Sequence, residues 1–100
     1  GKRELMGNVA QKYAKKIYIT SDNPRFEKPE EIINMIAGGV SDKEKVVIEQ
    51  DRAEAINMAI NELKKDEILL ITGKGHEEYQ IIGDEKKAFS DYEEILKCIK

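Results

Sequence analysis

Residues 17–33 read IYITSDNPRFEKPEEII. A short β-branched and aromatic run predicts a strand over Ile17–Thr20, and Ser21, Asp22, Asn23 and Pro24 then supply turn chemistry. Pro29 stands where the first turn of a helix tolerates a missing N–H, and Ile32, Ile33, Met35 and Ile36 predict the apolar side of that helix. Strand, polar turn and helix in this order are the unit from which α/β folds are built.

Working outward, the same rhythm repeats. Upstream, Leu5, Met6, Val9, Ala10, Tyr13 and Ala14 recur at steps of three and four, predicting a helix over 3–16 with one buried stripe. Downstream, Gly38 and Gly39 predict a helix stop through glycine's tolerance of left-handed angles. A second strand is expected over 45–49. Asp51 and Glu54 have the spacing of a reciprocal N-cap pair, opening a helix that buries Ala55, Ile56, Met58, Ala59, Ile60 and Leu63 and runs to about Lys65. Ile68–Thr72 is the most apolar run and lacks alternation, so it is expected as a central strand covered on both faces. YQIIG and KKAFS predict a hairpin around Gly83 and Asp84. Ser90 and Glu93 predict a capped final helix burying Tyr92, Ile95, Leu96 and Ile99. The expected fold class is α/β, Rossmann-like: a mostly parallel sheet with flanking helices and a C-terminal hairpin.

Composition limits what such a domain can bind. One hundred residues, about 40% of them apolar, suit one globular domain. A net charge of −3, with 17 basic and 20 acidic residues interspersed, gives no cationic field for nucleic acid and no block favouring a membrane surface. No apolar run approaches the roughly 20 residues that span a bilayer. A single cysteine, Cys98, fits a reducing compartment, and the cytoplasm is the expected location. Cys98, Met35 and Met58 are expected to pack, Cys98 in part only.

In a parallel sheet, ligands collect beyond the carboxyl ends of the strands. Two unusual loops fall there: SDNPR after Thr20 and GKGHE after Thr72. Arg25 offers a planar fork suited to a carboxylate, aimed by the stiff Pro24. Asp22 and Glu77 are acceptors suited to an ammonium, Asn23 both donates and accepts, and Gly73 and Gly75 allow close backbone approach. Together they suit a zwitterion. Taken alone, Asp-Asn-Pro is also ordinary turn chemistry, and Arg25 is equally suited to a surface pair with Glu27 or Glu30. Lys74 lacks the flanking residues of a nucleotide P-loop, and the lone His76 has no companion for a metal site.

The ordered set of motifs resembles the C-terminal domain of the Mur ligases, in particular those adding the third residue to UDP-N-acetylmuramoyl-L-alanyl-D-glutamate. KRELMG at 2–7 is similar to the family's KRPLMG, with Glu4 for its proline. TSDNPRFEKP is similar to TSDNPR-x-E-x-P, ITGKGHEEYQ to GKGHE-x-YQ, and VVIEQDRAEAI to the segment between. The resemblance spans essentially all of residues 1–100 and implies an ATP- and Mg²⁺-dependent amide ligation in peptidoglycan synthesis. An acyl phosphate forms on the D-glutamate side, and the amine of an incoming amino acid attacks it. This segment implies the domain that presents that amino acid.

Carried over residue by residue, the resemblance implies that Asp22, Asn23, Pro24, Arg25, Gly73 and Glu77 bind meso-diaminopimelate. Arg25 grips the far carboxylate, Gly73 contacts that end through its backbone, and Glu77 pairs with the ammonium. No metal ligand or catalytic residue is expected within these residues, because ATP, Mg²⁺ and the UDP-sugar are held mainly by N-terminal and central domains. The segment alone is therefore expected to be inactive. The family also has a strand and an Arg-Asp pair upstream of KRPLMG, and without them the 100 residues are expected to be marginal and association-prone. L-lysine or lanthionine as the amino acid, a stand-alone amino-acid-binding module and a purely interacting domain remain the alternatives.

Overall fold

The computed structural model describes residues 2–23, 26–72, 79–82 and 84–99. Pro29 opens a helix with Glu30 and Glu31 in its first turn, where carboxylates favour the positive end of the dipole. That helix, α2 (Pro29–Gly38), follows β1 (Ile17–Ile19) and leads through a 3₁₀ turn at Lys43–Lys45 into β2 (Val46–Ile48). β1 and β2 pair in parallel, Ile17 with Val46 and Ile19 with Ile48, so the strand, turn and helix form a crossover unit as expected. The ladder is extended by the Glu49 N–H, which donates to the Ile19 carbonyl at 3.0 Å.

Before this unit lies α1 (Lys2–Tyr13), and after it come α3 (Arg52–Glu62), the antiparallel pair β3 (Tyr79–Ile82) and β4 (Glu85–Ala88), and α4 (Asp91–Cys98). α1 packs on α2 and α3 on α4, while β1 touches both α2 and α3. The core follows from this arrangement: Ile19 meets Ile33 and Ala37, supported by Ile17, Ile36 and Val46. Val40, Ala55, Ile56 and Ala59 are also buried. The resulting α/β architecture, with its parallel pair, flanking helices and C-terminal hairpin, is the expected class.

Both expected caps form. Asp51 accepts from the Glu54 N–H and Ser90 from the Glu93 N–H. The return bond to the Asp51 N–H comes from Glu49 rather than Glu54, at 3.2 Å, because the preceding strand delivers that carboxylate to the helix start. α1 and α3 end about three residues earlier than their periodicity suggests.

Four expectations are corrected. First, Ile68–Thr72 carries no strand ladder, and it is covered on one face only: Leu69 and Ile71 are half-buried, whereas Ile68 is 93% and Leu70 80% exposed. An uninterrupted apolar run shows that a segment is sticky, not that both its faces are covered. Second, Gly39 adopts right-handed angles, φ −82° and ψ −6°. Its requirement for glycine is steric, since a Cβ there would collide with the Glu4 carbonyl of α1 and one at Gly7 with the Ile36 carbonyl of α2. The two helices therefore meet backbone to backbone.

Third, the stripe of α1 is not covered: only Gly7 is buried, and Leu5, Met6, Val9 and Tyr13 are exposed. Fourth, Met35 and Leu63 are exposed, and α4 exposes Tyr92 and Leu96, as its C-cap does Ile99, keeping Ile95 half-buried. In each helix the contacting neighbours cover a narrower stripe than the periodicity marks out.

Candidate functional site

β1 ends at Ile19, and the residues that follow are fastened at once. Thr20 Oγ1 and Ser21 Oγ donate to the Gln50 carbonyl at 3.3 and 2.7 Å, tying the end of β1 to the end of β2. Gln80 of β3 donates to Ser21 Oγ at 3.3 Å, and the Ile81 N–H donates to Asn23 Oδ1 at 2.9 Å. The polar turn is thus pinned between the parallel pair and the hairpin. Farther along, both Glu27 oxygens accept from the Arg3 guanidinium at 2.8 and 2.9 Å, joining the turn's far side to the start of α1. This fork holds Glu27 below its ordinary pKa and raises that of Arg3.

Asp22 and Asn23 are half-buried and line a groove of about 360 Å³ that runs along β1, bounded by Arg3, Ile36, Arg52 and Thr72. Two of the six expected site residues therefore share one concave surface, at the part of it where β1 gives way to the polar turn. Asn23 does more than line it, because its carbonyl oxygen docks the turn on β3. The other four, Pro24, Arg25, Gly73 and Glu77, lie outside the described residues, as do Lys74, Gly75 and His76.

Arg52 brings the two loop origins together. Its Nη1 donates to the Ser21 carbonyl at 3.2 Å and its Nη2 to the Thr72 carbonyl at 3.1 Å. Nε and Nη2 also form a two-pronged pair with Asp91, both contacts at 2.7 Å. Arg52 is 4% and Asp91 6% exposed, so this is a buried charge pair whose polar atoms are partnered. A planar fork with several fixed donors can serve a carboxylate and two carbonyls at once, which an ammonium cannot.

Sequence reasoning passed over this pair. One signal was present: Arg52 sits just after the N-cap of α3, where the helix dipole disfavours a cation. A basic residue there needs a compensating anion, and Asp91, itself the first residue of α4, supplies it. The partners are 39 residues apart, so no local pattern joins them.

Elsewhere, the Tyr18 hydroxyl and Lys16 both donate to Glu62, tying β1 to the end of α3. The Lys16 bond leads in depressing the Glu62 pKa, and burial leads in raising that of Tyr18. Cys98 is partly buried and contacts Asn57 Oδ1, as a packing residue would. Among the described residues no cluster of His, Cys, Asp or Glu is arranged to hold a metal ion, and no helix is long and apolar enough to cross a membrane.

Known proteins are similar to this chain in sequence and fold. A ligase of Helicobacter hepaticus named UDP-N-acetylmuramoyl-L-alanyl-D-glutamate--2,6-diaminopimelate ligase is 56% identical over 94 residues, 94% of this chain and 20% of its own length. An Aquifex aeolicus protein of the same name is 51% identical over 98% of the chain, again 20% of its own length. A solved structure of a ligase with that name superposes with a TM-score of 0.91 at 38% identity, over 99% of this chain and 20% of that one. The chain thus spans about one fifth of the length of these relatives. The family profile described as Mur ligase, glutamate ligase domain, matches residues 1–75. With more than half of the chain matched and its fold superposed throughout, the chain belongs to the Mur ligase family.

Proposed function

We propose that this chain is the C-terminal, amino-acid-presenting domain of a cytoplasmic ligase that joins meso-diaminopimelate to UDP-N-acetylmuramoyl-L-alanyl-D-glutamate in peptidoglycan synthesis. The observation that carries the reading is the convergence of Ser21 and Thr72 on Arg52 beside the groove that Asp22 and Asn23 line. Ser21, which opens SDNPR, and Thr72, which precedes GKGHE in sequence, meet at one buried guanidinium. Two loops with a common origin can read the two charges of one amino acid end.

In this reading Arg25 clamps the far carboxylate, Glu77 pairs with the ammonium, and Gly73 offers its backbone at close range. Pro24 stiffens the turn, while Asp22 and Asn23 form the wall. The distal end is thereby fixed, leaving the other amine to attack the glutamyl acyl phosphate, so that the amide C–N bond forms, the C–O bond to phosphate breaks, inorganic phosphate leaves and the amine gives up a proton. ATP and Mg²⁺ supply the activation of that carboxyl and are held mainly by the N-terminal and central domains. The 100 residues alone bind and orient, and are inactive. The relatives' names support the amino acid assigned, and the charge-reading residues support a substrate with carboxylate and ammonium at its far end.

The test is ligation by the complete protein with meso-diaminopimelate, L-lysine and lanthionine offered separately. The expected result is the highest kcat/KM with meso-diaminopimelate. Preference for lysine, which has no far carboxylate for Arg25, would overturn the assignment.

A further inference from the structure

We infer that Arg52 is a positioning residue for amino-acid recognition: anchored by Asp91, its guanidinium fixes the Ser21 and Thr72 carbonyls and so sets the spacing between the two loops that read the substrate. The inference rests on the amino-acid-binding reading of those loops and adds to it a residue that touches no substrate.

The geometry separates an anchoring half from a positioning half. Nε and one hydrogen of Nη2 hold Asp91 at 2.7 Å, fixing the plane of the fork. Nη1 and the other hydrogen of Nη2 reach the carbonyls at 3.2 and 3.1 Å. Both acceptors are main-chain atoms, one just before Asp22 and one just before Gly73, so the restraint acts on the backbone from which each loop starts. Ser21 and Thr72 are far apart in sequence and share no strand ladder among the described residues. Arg52 therefore supplies a connection that the sheet does not.

The anchor is stiff at each side. Asp91 is held in the first turn of α4, after a Ser90 cap, and Arg52 in the first turn of α3, after an Asp51 cap. Ser21 is further tied to Gln50 and Gln80, so a shift of the fork would be felt mainly as a change in where Thr72 lies relative to a fixed Ser21. Lysine at position 52 keeps a positive charge for Asp91. With one nitrogen on a flexible stem, it cannot hold that carboxylate and two carbonyls in one plane.

The experiment uses the complete ligase and measures kcat and KM for meso-diaminopimelate and for ATP in Arg52→Lys, Asp91→Asn, Arg25→Ala and the Arg52→Lys/Arg25→Ala double variant. Losing charge-assisted bonds on this scale is expected to raise the KM for meso-diaminopimelate roughly tenfold or more in Arg52→Lys. The KM for ATP should stay within about twofold, because loop spacing does not bear on nucleotide affinity. The double variant should be worse than Arg25→Ala by much less than the product of the single effects, as both act through one site.

A purely structural Arg52 would lower the active fraction, and hence kcat, without moving the amino-acid KM. That result in Arg52→Lys and Asp91→Asn, with Arg25→Ala still raising KM, would overturn the inference and leave the site reading standing. An unchanged KM in Arg25→Ala would overturn the site reading and the inference with it. If Arg52→Lys does not yield folded protein, Asp91→Asn loosens the same fork from its other side and decides the question.

Discussion

Arg52 and Asp91 form a buried charge pair, and the same guanidinium is proposed to serve the site. Burying two charges carries a desolvation cost that their attraction offsets only when the remaining donors are satisfied, and here the two carbonyls complete that satisfaction. Removing one partner should therefore be far worse than removing both. Arg52→Ala or Asp91→Ala is expected to lose about 3–5 kcal/mol in denaturant unfolding, and Arg52→Met with Asp91→Leu to lose less than either. Additive losses would mean that the pair does not act as a unit. At this scale the sequence was legible where partners were close along the chain: the Asp51 and Ser90 side chains cap their helices at the spacing expected, although the Asp51 N–H turns to Glu49 rather than Glu54. It was silent on Arg52, whose side-chain hydrogen bonds among the described residues run to partners distant in sequence.

At the scale of elements, the contact between α1 and α2 depends on two glycines rather than on interlocking apolar side chains. Gly7 lies under the Ile36 carbonyl and Gly39 under that of Glu4. An alanine at position 7 gains about 1 kcal/mol in helix propensity, but its methyl group must push back a backbone atom, and overpacking of that kind costs about 1–3 kcal/mol. Gly7→Ala is thus expected to lower the melting temperature, and an unchanged or raised value would show that the helices separate freely. KRELMG contains this glycine, yet periodicity alone marked Leu5 and Met6 as the buried side. Repetition at three and four residues shows that a helix has a face. It does not show what comes to cover it, and here the glycine side is the one in contact. The same gap explains Ile68–Thr72, where composition showed an extended apolar segment but could not show which face would be covered.

For the molecule as a whole, α1, β1 and α2 line a groove that runs along β1 to the polar turn, where Arg52 and Thr72 also border it. Exposed apolar groups on α1, at Ile68 and Leu70 and on α4 give the fold surface suited to covering by other parts of a longer protein or by association. The fold class could be read from the order of elements because each carried its own start and stop signals. The convergence of the two loop origins could not, since it is made by one side chain from a third element. The proposed function rests on that convergence: the groove, the turn and the companion stretch are proposed to select an amino acid by its far charges. The most direct test is the ratio of kcat/KM for meso-diaminopimelate to that for L-lysine in the complete ligase, before and after Arg25→Ala. The account predicts that the ratio falls by roughly tenfold or more, through loss of the diaminopimelate reaction alone. A ratio unchanged by the substitution would contradict it.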